Sequence, residues 1–156
     1  MLGFGIKNNK KYLDFLSGIS VMNLGHSNPE ITEVIKNQSE KLMHVSNGFI
    51  IDEQVELANK LCKLTGLDQA FFCSTGAEAN EASVKLARLY GHQMGYKNPV
   101  IICMHKGFHG RTMANISASS NPKLKEGFDP MLPGFSYCDF NNVESLEKCI
   151  ADCKAN

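Results

Sequence analysis

The chain has 156 residues, 43% of them apolar and 21% charged, which suits one soluble globular domain with its own core. Sixteen basic and sixteen acidic residues cancel, so no long-range field favours nucleic acid or an anionic membrane surface, and small molecules and protein partners remain. No stretch approaches the roughly 18 consecutive apolar residues of a spanning helix, and Met1 is not followed by the basic segment and apolar run of a secretory leader, which makes the cytosol the expected compartment.

In chain order, the alternation over residues 10–16 predicts a short strand. Residues 17–29 read as a loop, rich in Ser, Gly and Asn. Asn28 as cap and Pro29 as first-turn residue predict a helix start, with Ile31, Val34, Ile35 and Leu42 as its apolar stripe. A second helix is expected from Asp52, burying Val55, Ala58, Leu61 and Cys62 and stopping near Thr65 and Gly66. Strands and helices then alternate. Residues 69–73 predict a strand, residues 74–76 a tight turn, and residues 77–90 a helix closed by Gly91. Residues 100–104 are continuously apolar, as in a strand buried on both faces. A glycine-bearing loop spans 105–111, another strand 135–139, and a helix follows Asn141 with Glu144 in a capping-box position. The pattern predicts an α/β layered sheet, left unfinished, with an open edge and an uncovered apolar face.

The six cysteines, at 62, 73, 103, 138, 149 and 153, form no CxxC pair and fall mostly in apolar or helical stretches. They are expected as buried, reduced thiols rather than as a disulfide framework or a metal site. Cys149 and Cys153, four apart on a helix, share a face, and packing accounts for them.

Two segments carry chemistry. A strand ending in Ser74-Thr75-Gly76 directly before a helix can seat a phosphate, because a helix N-terminus exposes unpaired N–H groups and a partial positive charge. Gly76 lets a ligand approach the main chain, and the Ser74 and Thr75 hydroxyls add donors. On spacing alone an ordinary alternative fits somewhat better: Ser74 or Thr75 as the N-cap of a core helix, with Glu78 completing a capping box. GxGxxG is absent. The second segment is Lys106-Gly107-Phe108-His109-Gly110-Arg111-Thr112. Phe108 offers a flat surface for a planar ligand and Arg111 a bidentate donor for a carboxylate. Arg111 and Arg88 are the only arginines beside fourteen lysines, which suits a geometric need. The alternative has Phe108 and His109 plugging the end of the sheet while Arg111 pairs with an acid.

Together these segments carry a resemblance. Ser74-Thr75-Gly76-Ala77-Glu78-Ala79-Asn80-Glu81-Ala82, continuing to Arg88, then Phe108-His109-Gly110-Arg111-Thr112, preceded by Tyr12-Leu13-Asp14-Phe15-Leu16-Ser17-Gly18-Ile19 and Gly25-His26-Ser27-Asn28-Pro29, resemble class III pyridoxal-phosphate-dependent aminotransferases, in particular the acetylornithine/ornithine type. The resemblance covers nearly the whole chain from about Lys10. It implies a partial large domain of the aspartate aminotransferase-like fold type I. Residues 1–50 would form an N-terminal segment with an interface loop, and residues 51–156 the first part of the cofactor-binding domain.

The implied cofactor is pyridoxal 5′-phosphate, its phosphate at Thr75, Gly76 and Ala77 and its ring stacked on Phe108. Arg111 matches the arginine that grips the substrate α-carboxylate, and the loop around Gly18 and Ile19 the segment that reaches the dimer interface. The implied reaction is amino transfer from N-acetylornithine, or an ornithine-like donor, to 2-oxoglutarate in a homodimer serving arginine biosynthesis. Several relatives carry threonine where this chain has Ala77. No lysine here matches the family's Schiff-base position, so no catalytic residue and no metal ligand is assigned. The chain is expected to be the N-terminal part of such an enzyme, inactive alone. Three alternatives stand beside it: a non-catalytic partner of a complete subunit, an enzyme of the same family with ornithine or 4-aminobutyrate specificity, and an α/β module for some other phosphorylated ligand.

Overall fold

The computed structural model describes residues 4–6 and 10–155. The chain divides into two compact units, Met1–Gln69 and Ala70–Asn156.

In the first unit β1 (Phe4–Ile6) pairs antiparallel with β2 (Lys10–Tyr12), Phe4 opposite Tyr12 and Ile6 opposite Lys10. The strand expected over 10–16 ends at Tyr12 because Asp14 turns the chain. Its Oδ1 accepts the N–H groups of Leu16 and Ser17, each at 2.9 Å, offering the backbone an alternative to a ladder. The helical turn α1 (Ser17–Ser20) is left-handed, with φ of 50° at Ser17, 62° at Gly18, 60° at Ile19 and 63° at Ser20. Each residue other than glycine costs about 1–2 kcal/mol in this conformation. Asp14 Oδ2 lies 2.6 Å from His26 Nε2. That bond, with the two backbone N–H groups, holds the Asp14 carboxyl below its usual range.

Helix α2 (Pro29–Ser39) starts as its sequence dictates. Asn28 Oδ1 accepts from Glu30 N at 2.9 Å and Ile31 N at 3.3 Å, and Pro29 occupies the first turn, where an N–H is not missed. Leu42 lies beyond its end. Helix α3 (Asp52–Thr65) stops at Gly66, whose φ of 73° is the left-handed C-cap that glycine favours. The burial expected of its stripe is not found: Val55 and Leu61 are exposed, and Ala58 and Cys62 half-buried. Ile31, Val34 and Ile35 of α2 are exposed as well. An amphipathic stripe specifies which face needs a cover and does not supply one. The 156-residue chain is therefore expected to self-associate, reading above monomer mass in sedimentation velocity. A monodisperse monomer would count against this.

At the start of the second unit, residues 69–73, of which Gln69 closes the first, form no strand, against expectation. Apolar and aromatic propensity makes a strand only where a neighbour exchanges hydrogen bonds, and no described residue does so here. Helix α4 (Gly76–Gln93) runs on through Gly91 to a cap at Met94. Gly91 is not a stop: a Cβ there would lie 2.6 Å from Pro99 Cβ, so the glycine serves close packing. β3 (Ile101–Met104) and β4 (Phe135–Cys138) pair in parallel, Ile101 opposite Phe135 and Met104 opposite Cys138. Only Cys103 of β3 is buried; Ile101, Ile102 and Met104 are half-buried, because a two-stranded sheet is too narrow to be covered on both faces.

Between the strands lie α5 (Met113–Ala118), unforeseen in the sequence, and a 3-10 turn (Pro122–Leu124). Residues 114–119 are the longest buried run among the described residues, and α5 contacts both α4 and β4. Helix α6 (Val143–Ala155) packs on β4. It is capped one residue later than expected: Asn142 Oδ1 accepts Ser145 N–H at 3.0 Å, and Ser145 Oγ accepts Asp139 N–H at 2.9 Å. Asn141, at φ 56°, is left-handed and unsuited to the cap.

The architecture is α/β, a parallel strand pair with flanking helices. All six cysteines are free. Cys103, Cys138 and Cys149 are buried and Cys62 and Cys153 partly so, whereas Cys73 is exposed, against the expectation of burial. Burial pushes the Cys103 and Cys149 thiols up. No described helix is long and apolar enough to cross a membrane.

Candidate functional site

Both segments singled out in the sequence lie in the second unit. Thr75, in extended backbone at φ −145° and ψ 160°, is the N-cap of α4. Its Oγ1 accepts the Glu78 N–H at 3.1 Å, and Glu78 Oε2 reaches back to the Ser74 N–H at 2.6 Å. The capping arrangement is thus present. It occupies the Ser74 and Glu78 N–H groups and leaves those of Gly76 and Ala77 without a hydrogen bond among the described residues. The Thr75 hydroxyl, used as an acceptor, keeps its own proton to donate. A Cβ on Gly76 would meet nothing within 4 Å, so the helix terminus opens onto free space. Capping and anion binding are compatible here. Thr75→Val, which removes the cap oxygen, is expected to lower stability by about 1 kcal/mol in urea unfolding, and Thr75→Ser to retain it.

The loop after β3 is stitched to this helix end. Gly110, at φ 119°, lies so close to α4 that a Cβ on it would come within 2.9 Å of Ala77 Cβ and 2.7 Å of Asn115 Nδ2. Asn115 Nδ2 donates to Ala77 O at 2.9 Å, and Asn80 Nδ2 donates to His109 O at 2.7 Å. Thr112 Oγ1 donates to Glu81 Oε1. These contacts bring Thr75, Gly76 and Ala77 together with the loop that carries Phe108 and Arg111. Asn80, Glu81, Thr112 and Asn115 went unassigned in the sequence. Asparagine is a poor residue for a helix interior, and a mid-helix Asn80 or an Asn115 among apolar neighbours was the available signal of a side chain with a task.

Phe108 is 72% exposed. The Arg111 guanidinium lies over its ring at 4.9 Å and donates to Gly110 O at 3.5 Å. The two side chains border a shallow cavity of about 480 Å³, shared with Lys106, Ser119, Ser120 and Asn121. No described acidic residue forms an ion pair with Arg111. His109 Nε2 and Asn115 Oδ1 are buried without a hydrogen-bond partner among the described residues. Arg88 serves the fold: it donates to Pro133 O and lies over the Phe135 ring at 5.5 Å, tying α4 to the start of β4. No group of three potential metal ligands occurs among the described residues.

The donor set suits pyridoxal phosphate in kind: two free main-chain N–H groups and a hydroxyl for an anion, an exposed aromatic face for a planar ring, and a guanidinium for a carboxylate.

Comparison with known proteins points the same way. The family description "Aminotransferase class-III" matches residues 5–155. An acetylornithine aminotransferase of Methanocaldococcus jannaschii is 49% identical over 144 residues, which is 92% of this chain and 36% of that protein. One from Nitrosomonas europaea is 47% identical over 142 residues, 91% of this chain and 36% of that protein. An ornithine aminotransferase structure from Toxoplasma gondii, with PLP partially occupying its active site, superposes with a TM-score of 0.90 at 27% identity, covering 97% of this chain and 36% of that one. The chain spans little more than a third of the length of these relatives. The fold is a partial fold type I domain, and the chain belongs to the class III aminotransferase family.

Proposed function

We propose that residues 51–156 form the first part of the cofactor-binding domain of a pyridoxal 5′-phosphate-dependent aminotransferase. The whole protein would move the amino group of N-acetylornithine, or an ornithine-like donor, to 2-oxoglutarate in arginine biosynthesis. It would act as a cytosolic homodimer, with the loop around Gly18 and Ile19 of the N-terminal segment at the subunit interface. The names of the closely similar relatives support the donor. One observation carries the site: the approach of Gly110 to Ala77, which joins a helix terminus with free N–H groups to the loop bearing Phe108 and Arg111.

Pyridoxal phosphate, when bound, supplies the electron sink for breaking a bond at the amino-acid Cα. The chain's own residues hold and orient. The Gly76 and Ala77 N–H groups and the Thr75 hydroxyl bind the phosphate dianion, helped by the partial positive charge of the α4 terminus. Phe108 fixes the plane of the ring. Arg111 grips the substrate α-carboxylate in a bidentate pair, which sets the orientation of the reacting bond.

The phosphate site is tested by Gly76→Pro, which deletes one N–H and spares the helix start. Thr75 already has the extended backbone that proline requires before it, and the first helical position tolerates proline. Pyridoxamine 5′-phosphate titrated into the 156-residue chain is expected to bind about tenfold more weakly to this variant, since a hydrogen bond to a charged group is worth about 1.5–3 kcal/mol. Helix content by circular dichroism should not change. Equal affinity would remove Gly76 from the site. Phe108→Ala should weaken pyridoxamine phosphate binding and spare inorganic phosphate; equal effects on both would favour a general phosphate-binding module.

A further inference from the structure

The left-handed turn α1 lacks the support such a conformation normally needs. Of its four residues only Gly18 takes positive φ freely, and Ile19, β-branched, is the least suited to it. No apolar burial offsets this, since Ile19 is 82% exposed and its neighbours Phe15, Leu16 and Val21 are exposed too. The turn is nonetheless closed by hydrogen bonds, Ser20 N–H to Leu16 O at 3.0 Å and Val21 N–H to Ser17 O at 2.9 Å.

What fixes it is polar. Handedness reverses between Leu16, at φ −81°, and Ser17, at φ 50°. Those two N–H groups are the ones that Asp14 Oδ1 accepts, each at 2.9 Å. The other carboxylate oxygen meets His26 Nε2 at 2.6 Å, so one side chain grips both the start of the turn and the far end of the loop. Gly25, buried and at φ 86°, returns the chain to this point, and two residues after His26 Asn28 caps α2 while donating to Leu24 O at 3.4 Å. The Asp14 side chain is 10% exposed and that of His26 36%.

We propose that Asp14 and His26 form a clasp that sets the left-handed form of the turn at residues 17–20 and thereby fixes how Gly18 and Ile19 are displayed. With the clasp open the turn relaxes towards right-handed or irregular backbone and that display is lost. The clasp rests on the geometry of the first unit alone. In the proposed dimeric enzyme the two would be positioning residues for the interface loop.

The test is hydrogen exchange read by mass spectrometry on the 156-residue chain, following peptides across residues 16–25 with α3 as internal reference. Asp14→Ala and His26→Leu are each expected to abolish protection over 16–25 and leave α3 unchanged. The double variant should lose no more than either single one, because either change opens the same clasp. His26→Gln, which still offers an N–H to Asp14, should keep most of the protection. Ile19→Gly added to Asp14→Ala should restore it, since glycine takes φ near 60° without the clasp. Unchanged protection in either single variant would overturn the proposal. So would failure of Ile19→Gly to restore it, or a loss spread equally over α3.

Discussion

Replacing Gly110 by alanine is expected to destabilise the second unit by about 3 kcal/mol or more, through backbone strain and overpacking together. Gly110 has φ 119°, outside the range an L side chain readily adopts. The new methyl would also sit 2.9 Å from Ala77 Cβ, 3.2 Å from Ala77 Cα and 2.7 Å from Asn115 Nδ2. The backbone of α4 cannot swing aside as a flexible side chain would, so the loop must lift from the helix and the Asn115 and Asn80 bonds break with it. Urea unfolding followed by far-ultraviolet circular dichroism measures the loss. A cost below about 1 kcal/mol would mean the two segments are not tightly joined. Ala77→Gly should partly suppress the defect, because it removes one of the two closest atoms, Ala77 Cβ, while Asn115 Nδ2 and the strained φ remain.

Asn115→Asp should be the most damaging near-isosteric change. Asn115 is fully buried, and its Nδ2 donates to Ala77 O. An ionised aspartate would bring an unpaired charge and an acceptor facing an acceptor. Burial therefore raises the folded-state pKa of the new carboxyl above its unfolded value of about 3.9. The sign follows from that shift. Below the unfolded pKa the carboxyl is protonated in both states, its O–H can donate to Ala77 O, and the variant approaches the parent in stability. As pH rises from about 4 towards the folded pKa the deficit grows by about 1.4 kcal/mol per pH unit, then levels off. Unfolding free energies of parent and variant compared across pH 4 to 8 should diverge in this way; a constant difference would show that residue 115 reaches solvent.

Local chemistry made part of this molecule readable. The start of α2 follows from Asn28 and Pro29 and the end of α3 from Gly66, since caps depend on neighbours in sequence. Gly91 misled for the complementary reason. It carries the same residue type as a helix stop, but its task is to let Pro99 approach, and no local pattern records that contact. Helix α5 escaped because residues 113–118 are too few for a periodic stripe and are buried nearly all round. The run at 69–73 has strand-forming residues and no hydrogen-bonded neighbour among the described residues.

The site divides along the same line. The helix start at Thr75 and Gly76, where the phosphate is proposed to sit, could be read because a helix terminus announces itself in a few residues, whereas Ala77 came in only with the family resemblance. The side chains that hold the loop against that terminus could not be read, since Asn80 meets His109 29 positions away and Asn115 meets Ala77 38 positions away.

That separation has a kinetic side. Closing loops of this length is entropically costly before any contact rewards it, so contacts distant in sequence tend to form late and together. Helix α4 can begin from its own cap, but the surface that joins Ala77 to the Phe108 loop is complete only once residue 115 is available. During synthesis the helix terminus would therefore emerge well before its counterpart, and the two halves of the site would mature in a single step, when Asn115 closes onto Ala77.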